Sequence, residues 1–160
     1  MPKIVLITKI KAPQKLVFDL SRSIDLHLIS TEKTNEKAIA GRTEGLIELG
    51  ETVTWRAKHL GVYQNFTSKV TGCIEADYFA DEMVLGAFKS FKHEHFFSYE
   101  NGETILKDVM EYRSPLGILG KLVDFLFLEK YMINFLMLRN DTIKKFAETE
   151  KWKEILIAER

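Results

Sequence analysis

A lone cysteine, Cys73, in 160 residues leaves no partner for an internal disulfide, so the fold cannot be held by one and nothing points to an oxidising compartment. Prolines number three and glycines nine; neither clusters, and there is no low-complexity stretch of the kind that marks a disordered chain. An excess of one charge is missing too. The 23 basic groups cancel the 23 acidic ones. By segment, residues 1–50 hold 8 basic and 6 acidic groups, 51–114 hold 7 and 10, and 115–160 hold 8 and 7. Without a basic block, the electrostatic footprint of a nucleic-acid or anionic-membrane partner is absent. Long apolar runs are also lacking. Ile4 to Ile7, between lysines, is too short for the apolar region of a signal peptide. Residues 116–138 are broken by Lys121, Asp124, Glu129 and Lys130, which are costly in a bilayer core. A cytoplasmic protein with no stable membrane insertion is expected. No Gly-x-Ser-x-Gly elbow occurs, Gly117 to Lys121 lacks P-loop spacing, and Cys73 beside Gly72 reads as a small apolar residue.

What remains is a chain that is 46% hydrophobic and 29% charged, a balance that folds. At about 150 residues per domain the length predicts one domain over 1–160, and a chain this long buries roughly 70% of its unfolded surface.

The chain order predicts an α+β fold. Residues 3–11 alternate as a strand, and Pro13 suits the first turn of a helix near 13–21. A second short helix is expected near 22–29, then loops at 30–37 and 41–45 around a short strand. From Leu46 the period becomes two, with strands near 51–60, 62–75, 78–86, 89–99 and 103–113. Leu60-Gly61 and Asn101-Gly102 join neighbours as tight turns, and Asn-Gly is a strong hairpin signal. Successive hairpins imply an antiparallel sheet. Ser114-Pro115 reads as the start of a long helix over 118–148.

That helix is apolar beyond the stripe of about 100° a surface helix needs. Leu122, Val123, Phe125 to Leu128, Tyr131 to Ile133 and Phe135 to Leu138 surround it. An apolar ligand, a second subunit, a membrane surface or the two short helices would have to cover the excess.

Several stretches carry a resemblance: Trp55 to His59 with Gly61; Phe79, Asp81, Glu82 and Gly86; Phe88, Phe91, His93 and His95; and Gly102, Thr104, Leu106 and Asp108 leading into Ser114, Pro115, Leu116 and Gly117. Together with the element order they resemble the bacterial ligand-binding branch of the START-related, birch-pollen-allergen-like superfamily, also called SRPBCC, which includes polyketide cyclase/dehydrase-like proteins. The resemblance covers about residues 3–147, which it implies as the domain core, and implies the helix-grip fold: a curved antiparallel sheet wrapped around a long C-terminal helix, with two short helices after strand one. It also implies a cavity between sheet and helix.

Strand alternation selects the inner face. Val53, Trp55, Ala57 and His59 share one side; so do Phe91, His93, His95 and Phe97, and Leu106, Asp108, Met110 and Tyr112, with Met83 and Leu85 on the strand between. The expected ligand-binding set is Trp55, His59, Met83, Phe91, His93, His95, Phe97, Asp108, Met110, Tyr112, Leu122 and Leu126, around a lipid-like or polyketide-like hydrophobic molecule. His93 and His95 could share a metal with His59, Glu82 or Asp108 as third ligand. No third ligand is defined by the sequence, so no metal and no cofactor is expected. His95 oriented by Asp108 could instead move a proton near neutral pH, and the resemblance to cyclases implies such an enzyme of cyclase or dehydratase type as the alternative. A third reading is an interaction module, a homodimer through the C-terminal helix.

Overall fold

A computed structural model describes residues 1–115 and 117–156, except for the side chains at 120 and 123–125. Strand β1 (Lys3–Ile10) leads into α1 (Gln14–Arg22), whose backbone begins after Pro13. Helix α2 (Ile24–Ser30) comes next, separated from α1 by Ser23, whose hydroxyl accepts from the Leu26 amide at 3.1 Å as an N-cap. Strand β2 (Lys37–Gly41) precedes the run of long strands: β3 (Thr52–His59), β4 (Val62–Ile74), β5 (Tyr78–Leu85), β6 (Ser90–Glu100) and β7 (Glu103–Arg113). All pair antiparallel in one sheet of order β1-β7-β6-β5-β4-β3-β2. The two expected tight turns are present. Asn101 and Gly102 both have positive φ, 52° and 79°, as do Leu60 and Gly61, 52° and 82°, the requirement of the turns that match strand twist.

The closing helical segment comprises α3 (Gly117–Val123), a π-helical stretch over Asp124–Leu128, and α4 (Glu129–Ala147). It begins two residues after Pro115, so Ser114-Pro115 precedes the helix instead of opening it; Leu116 lies outside the described residues. Along α4 the buried positions Leu136, Arg139, Asn140, Ile143, Phe146 and Ala147 form one stripe at helical spacing. A fifth helix, α5 (Trp152–Leu156), was not expected; its Ile155 is buried, with Trp152 packed beside the same core.

Apolar residues gather in three places, which decides where space is left. At one end Phe18 of α1 meets Phe79 and Phe97 edge-on, with ring centroids at 5.9 and 5.4 Å, and Ile143 and Phe146 of α4 close the same cluster. A second cluster joins Ile4, Met110, Tyr112 and Leu136. A third joins Ile24, Ile47, Val53 and Val70. The space between them, under α4, is not filled.

The helical excess is resolved in an unexpected way. Ile118, Leu119, Leu122, Leu126 and Phe127 are exposed, Leu122 by 55% and Leu126 by 54%. The short helices do not cover them. Extra residues per turn in a π stretch rotate the helix before it relative to the helix after it, so the stripe that faces the sheet is carried by α4.

Candidate functional site

A cavity of about 260 Å³ lies between α4 and the inner face of β3–β6. Its walls are mostly aromatic and aliphatic: Trp55 and Ala57 from β3, Phe66 and Val70 from β4, Phe91 from β6, and Leu128, Met132 and Phe135 from the helical side. Phe66 and Phe91 meet edge-on at 5.1 Å, and Phe91 and Phe88 lie 5.7 Å apart.

The expected ligand set divides. Trp55, His59, Phe91, His93, His95 and Met110 line the cavity. Phe97 does not: Phe18 and Phe79 enclose it in the core, because α1 fills that end of the inner face. Tyr112 is also buried away from the cavity, against Phe88 at 5.4 Å. Asp108 lies behind the wall with no exposed surface. Met83 is not in the wall; it packs by Gly86 and Phe66, where a Cβ on Gly86 would come within 2.8 Å of its sulfur. Leu85 faces outward, because a bulge in the β4–β5 ladder pairs Thr67 with Leu85 but Ser68 with Met83, and one inserted residue reverses the side on which later residues of the strand point. Leu122 and Leu126 point away into solvent.

Two polar groups interrupt the apolar wall. In one, His59 Nδ1 and the Tyr131 hydroxyl are 2.6 Å apart, and Phe135 packs edge-on against His59 at 5.8 Å. Burial lowers the His59 pKa, opposed by the charge of Glu36, and burial raises that of Tyr131. His27 lies against Trp55 with ring centroids 4.2 Å apart and planes tilted by 36°, and meets Glu36 at 2.5 Å.

The second group is deeper and centres on Asp108. Its Oδ1 lies 2.9 Å from His93 Nε2 and 2.7 Å from His95 Nδ1. Its Oδ2 accepts from Asn140 Nδ2 at 2.6 Å, and Arg139 Nη1 stands 3.8 Å away. Burial opposes ionisation of this carboxyl, but the hydrogen bonds from His93 and His95 outweigh it and hold the pKa well below the ordinary value. Burial, reinforced by the neighbouring His95, pushes His93 down to about 4 despite Asp108, so His93 is neutral at pH 7. An ionised Asp108 accepts only; both imidazoles therefore donate to it, His93 through Nε2 and His95 through Nδ1. Asp81 Oδ1 stands 3.4 Å from the other nitrogen of His95, Nε2. Burial would raise Asp81, and the His95 bond with nearby positive charge reverses this to a net lowering.

With this geometry in hand, solved structures of similar shape are informative. A protein of Thermus thermophilus, TTHA0849, superposes with a TM-score of 0.73 over 90% of this chain and 95% of its own, at 16% identity. Major latex-like protein 151 of Panax ginseng gives 0.68 over 92% and 98%, at 15% identity. A START superfamily protein of Mycobacterium smegmatis gives 0.68 over 91% and 97%, at 11% identity. The fold is the helix-grip fold. No protein-family profile and no curated protein matches the sequence, so the likeness is one of fold. None of the described helices of this helix-grip chain is long and apolar enough to cross a membrane.

Residue patterns missed Asp81, Tyr131, Arg139, His27 and Glu36. Asp81 was within reach, since the alternation that places Met83 inward places Asp81 inward too. Tyr131 and Arg139 sit on the α4 face whose phase depends on the π stretch, and no spacing in the sequence announces that stretch. His27 and Glu36 flank a loop, where periodicity gives no direction.

Proposed function

We propose that this protein binds a compact hydrophobic small molecule in the cavity between the sheet and α4. The observation that carries the reading is a largely apolar, aromatic-rich cavity with two convergent polar groups, the mixture that small-molecule sites show. Apolar contact supplies the affinity, about 2.5 kcal/mol for each 100 Å² removed from water. His59 with Tyr131, and the His93–His95–Asp81 wall, orient the polar end. The aromatic lining favours a flat or ring-containing, polyketide-like molecule. Rings opposed by Trp55, Phe66 and Phe91 gain edge and face contacts beyond area alone.

The experiment is native mass spectrometry of freshly purified protein, with solvent extraction of any retained compound and titration with an apolar fluorescent probe. Retained ligand or saturable probe binding, abolished by Ala57→Phe, supports the reading. An empty protein that binds no apolar probe refutes it.

A second reading has one specific observation behind it, the 2.7 Å contact of His95 Nδ1 with Asp108. Such a pair fixes an imidazole for proton transfer in a cyclase- or dehydratase-type reaction. Once a turnover is known, unchanged turnover in His95→Ala removes it.

A further inference from the structure

The deep polar group brings metal-ligating side chains together at the cavity wall. His95 turns Nδ1 to Asp108 at 2.7 Å and its other nitrogen, Nε2, to Asp81 Oδ1 at 3.4 Å. The separation is long for an N–H···O bond, which prefers 2.7–3.2 Å, yet two atoms bound to one ion at about 2.0–2.2 Å each stand roughly 3–3.5 Å apart. His93 likewise turns Nε2 to Asp108 at 2.9 Å, which leaves Nδ1 as the ring nitrogen not engaged with that carboxylate. One ligand atom from each of Asp81, His93 and His95 lies within 4.8 Å of the others.

We infer that Asp81, His93 and His95 form a binding site for a divalent transition-metal ion in the cavity wall, with Asp108 holding both imidazoles from behind. Two imidazoles and a carboxylate suit zinc, cobalt or iron in the divalent state better than calcium or magnesium, which prefer oxygen alone. A carboxylate that accepts the remaining N–H of each ligating histidine is the usual outer support of such sites. The charge also fits. Asp81 and Asp108 against Arg139 leave one net negative charge for the ion to meet. Three protein ligands leave at least one coordination position open, and His93, His95 and Asp81 all line the cavity, so that position faces a bound molecule. After the ion binds, the local charge is positive, and an anionic oxygen such as a carboxylate or enolate is the matching donor. The site stands whatever molecule fills the cavity.

The test uses the metal alone. Chelator-stripped full-length protein is titrated with Co2+ by visible absorption and with Zn2+ by calorimetry. One equivalent should bind, with a d–d spectrum of an N/O-ligated ion. Asp81→Asn and His95→Ala should weaken binding at least about 100-fold, Asp108→Asn by about 10- to 100-fold, and Glu82→Gln not at all. Because inner-wall variants could misfold, each is checked by circular dichroism, and the Co2+ spectrum of the unaltered protein needs no variant. Absence of saturable binding of either ion up to about 1 mM, or one-to-one binding that survives Asp81→Asn and His95→Ala, overturns the site. Failure here leaves probe binding to the cavity intact, so the two readings are separable.

Discussion

Replacing Asp108 by alanine tests whether the deep carboxylate organises this side of the protein. The side chain has no exposed surface and receives three donors, from His93 at 2.9 Å, His95 at 2.7 Å and Asn140 at 2.6 Å. Its loss strands those donors, each at about 1–3 kcal/mol when buried. Two effects reduce the sum. The cost of burying a carboxylate disappears, and Asn140 keeps its bond to Thr8 Oγ1 at 3.1 Å. Removing one partner of a buried charged network costs about 3–5 kcal/mol, and at about 2–4 °C per kcal/mol for a chain of this size the melting temperature should fall by roughly 6–20 °C. Asp108→Asn should cost less, about 1–3 kcal/mol. It keeps an acceptor for the histidines but sets an NH2 against Asn140, and Asn140 cannot simply turn over because its Oδ1 accepts from Arg139 Nη1 at 3.0 Å. Adding Asn140→Asp to Asp108→Asn moves the carboxylate across that contact and should recover at least half the loss. The assay is denaturant and thermal unfolding by circular dichroism with chelator present, so that the network alone is measured. An Asp108→Ala protein within about 1 kcal/mol of the parent, with a native spectrum, would refute the claim that three buried donors depend on this residue.

Truncating the hub of the first core cluster, Phe18→Ala, should destabilise by about 3–5 kcal/mol, read as a lower denaturant midpoint with unchanged m-value; a loss below about 1 kcal/mol contradicts the packing of Phe18 between Phe79 and Phe97. Leu60 has φ 52° at the β3–β4 turn, a conformation that asparagine tolerates better than leucine, so Leu60→Asn should raise stability by up to about 1 kcal/mol. If apolar-probe affinity falls at the same time, Leu60 contributes to the cavity mouth as its place in the wall suggests. The Tyr78 phenol is pushed up to about 12, by burial and then by its 2.8 Å bond to Glu94. A phenol whose pKa is higher folded than unfolded stabilises below pH 10 and loses that contribution as pH rises from 10 towards 12. Glu94→Gln should therefore lower the last tyrosine step in an ultraviolet pH titration, and an unmoved step contradicts the contact.

The sheet was legible because its signals are local. Alternation fixed the inner faces of β3, β6 and β7, and the turns at Leu60-Gly61 and Asn101-Gly102 fixed which strands are neighbours. Alternation does not say what meets an inner face. Phe97 and Tyr112 point inward as expected but face helix and core, since Phe18 and Leu136 occupy the space before them. Where the ladder carries a bulge, as at Thr67 and Ser68, period two fails and Leu85 turns outward. The helical side failed for the same kind of reason. Leu122 and Leu126 fit an uninterrupted 3.6 period, but the π stretch at 124–128 breaks the phase, so the cavity meets Leu128, Tyr131, Met132 and Phe135.

The histidine pair shows most clearly what three dimensions add. On the sequence, His93 and His95 are two imidazoles at spacing two, open to metal, acid–base or purely structural roles, with no third partner defined. The β6–β7 register places Asp108 opposite His95, and the β5–β6 register places Asp81 opposite His93, so the pair is held between two carboxylates on flanking strands. Those carboxylates are not equivalent. Asp108 is fully buried and receives three donors, which holds its carboxyl ionised and fixes which nitrogen each histidine turns to it. Asp81 is part-exposed to the cavity and meets His95 Nε2 at 3.4 Å. A buried carboxylate behind and a cavity-facing one in front aim two ambiguous histidines into one small space. Asparagine at position 81 keeps the shape of the side chain and can donate to or accept from His95 Nε2, but removes the carboxylate a cation needs. An Asp81→Asn protein should therefore keep a stability within about 1 kcal/mol of the parent when metal is absent, yet lose metal binding. A residue needed only for structure would lower stability on the same substitution, so unfolding in the presence of chelator separates the two roles.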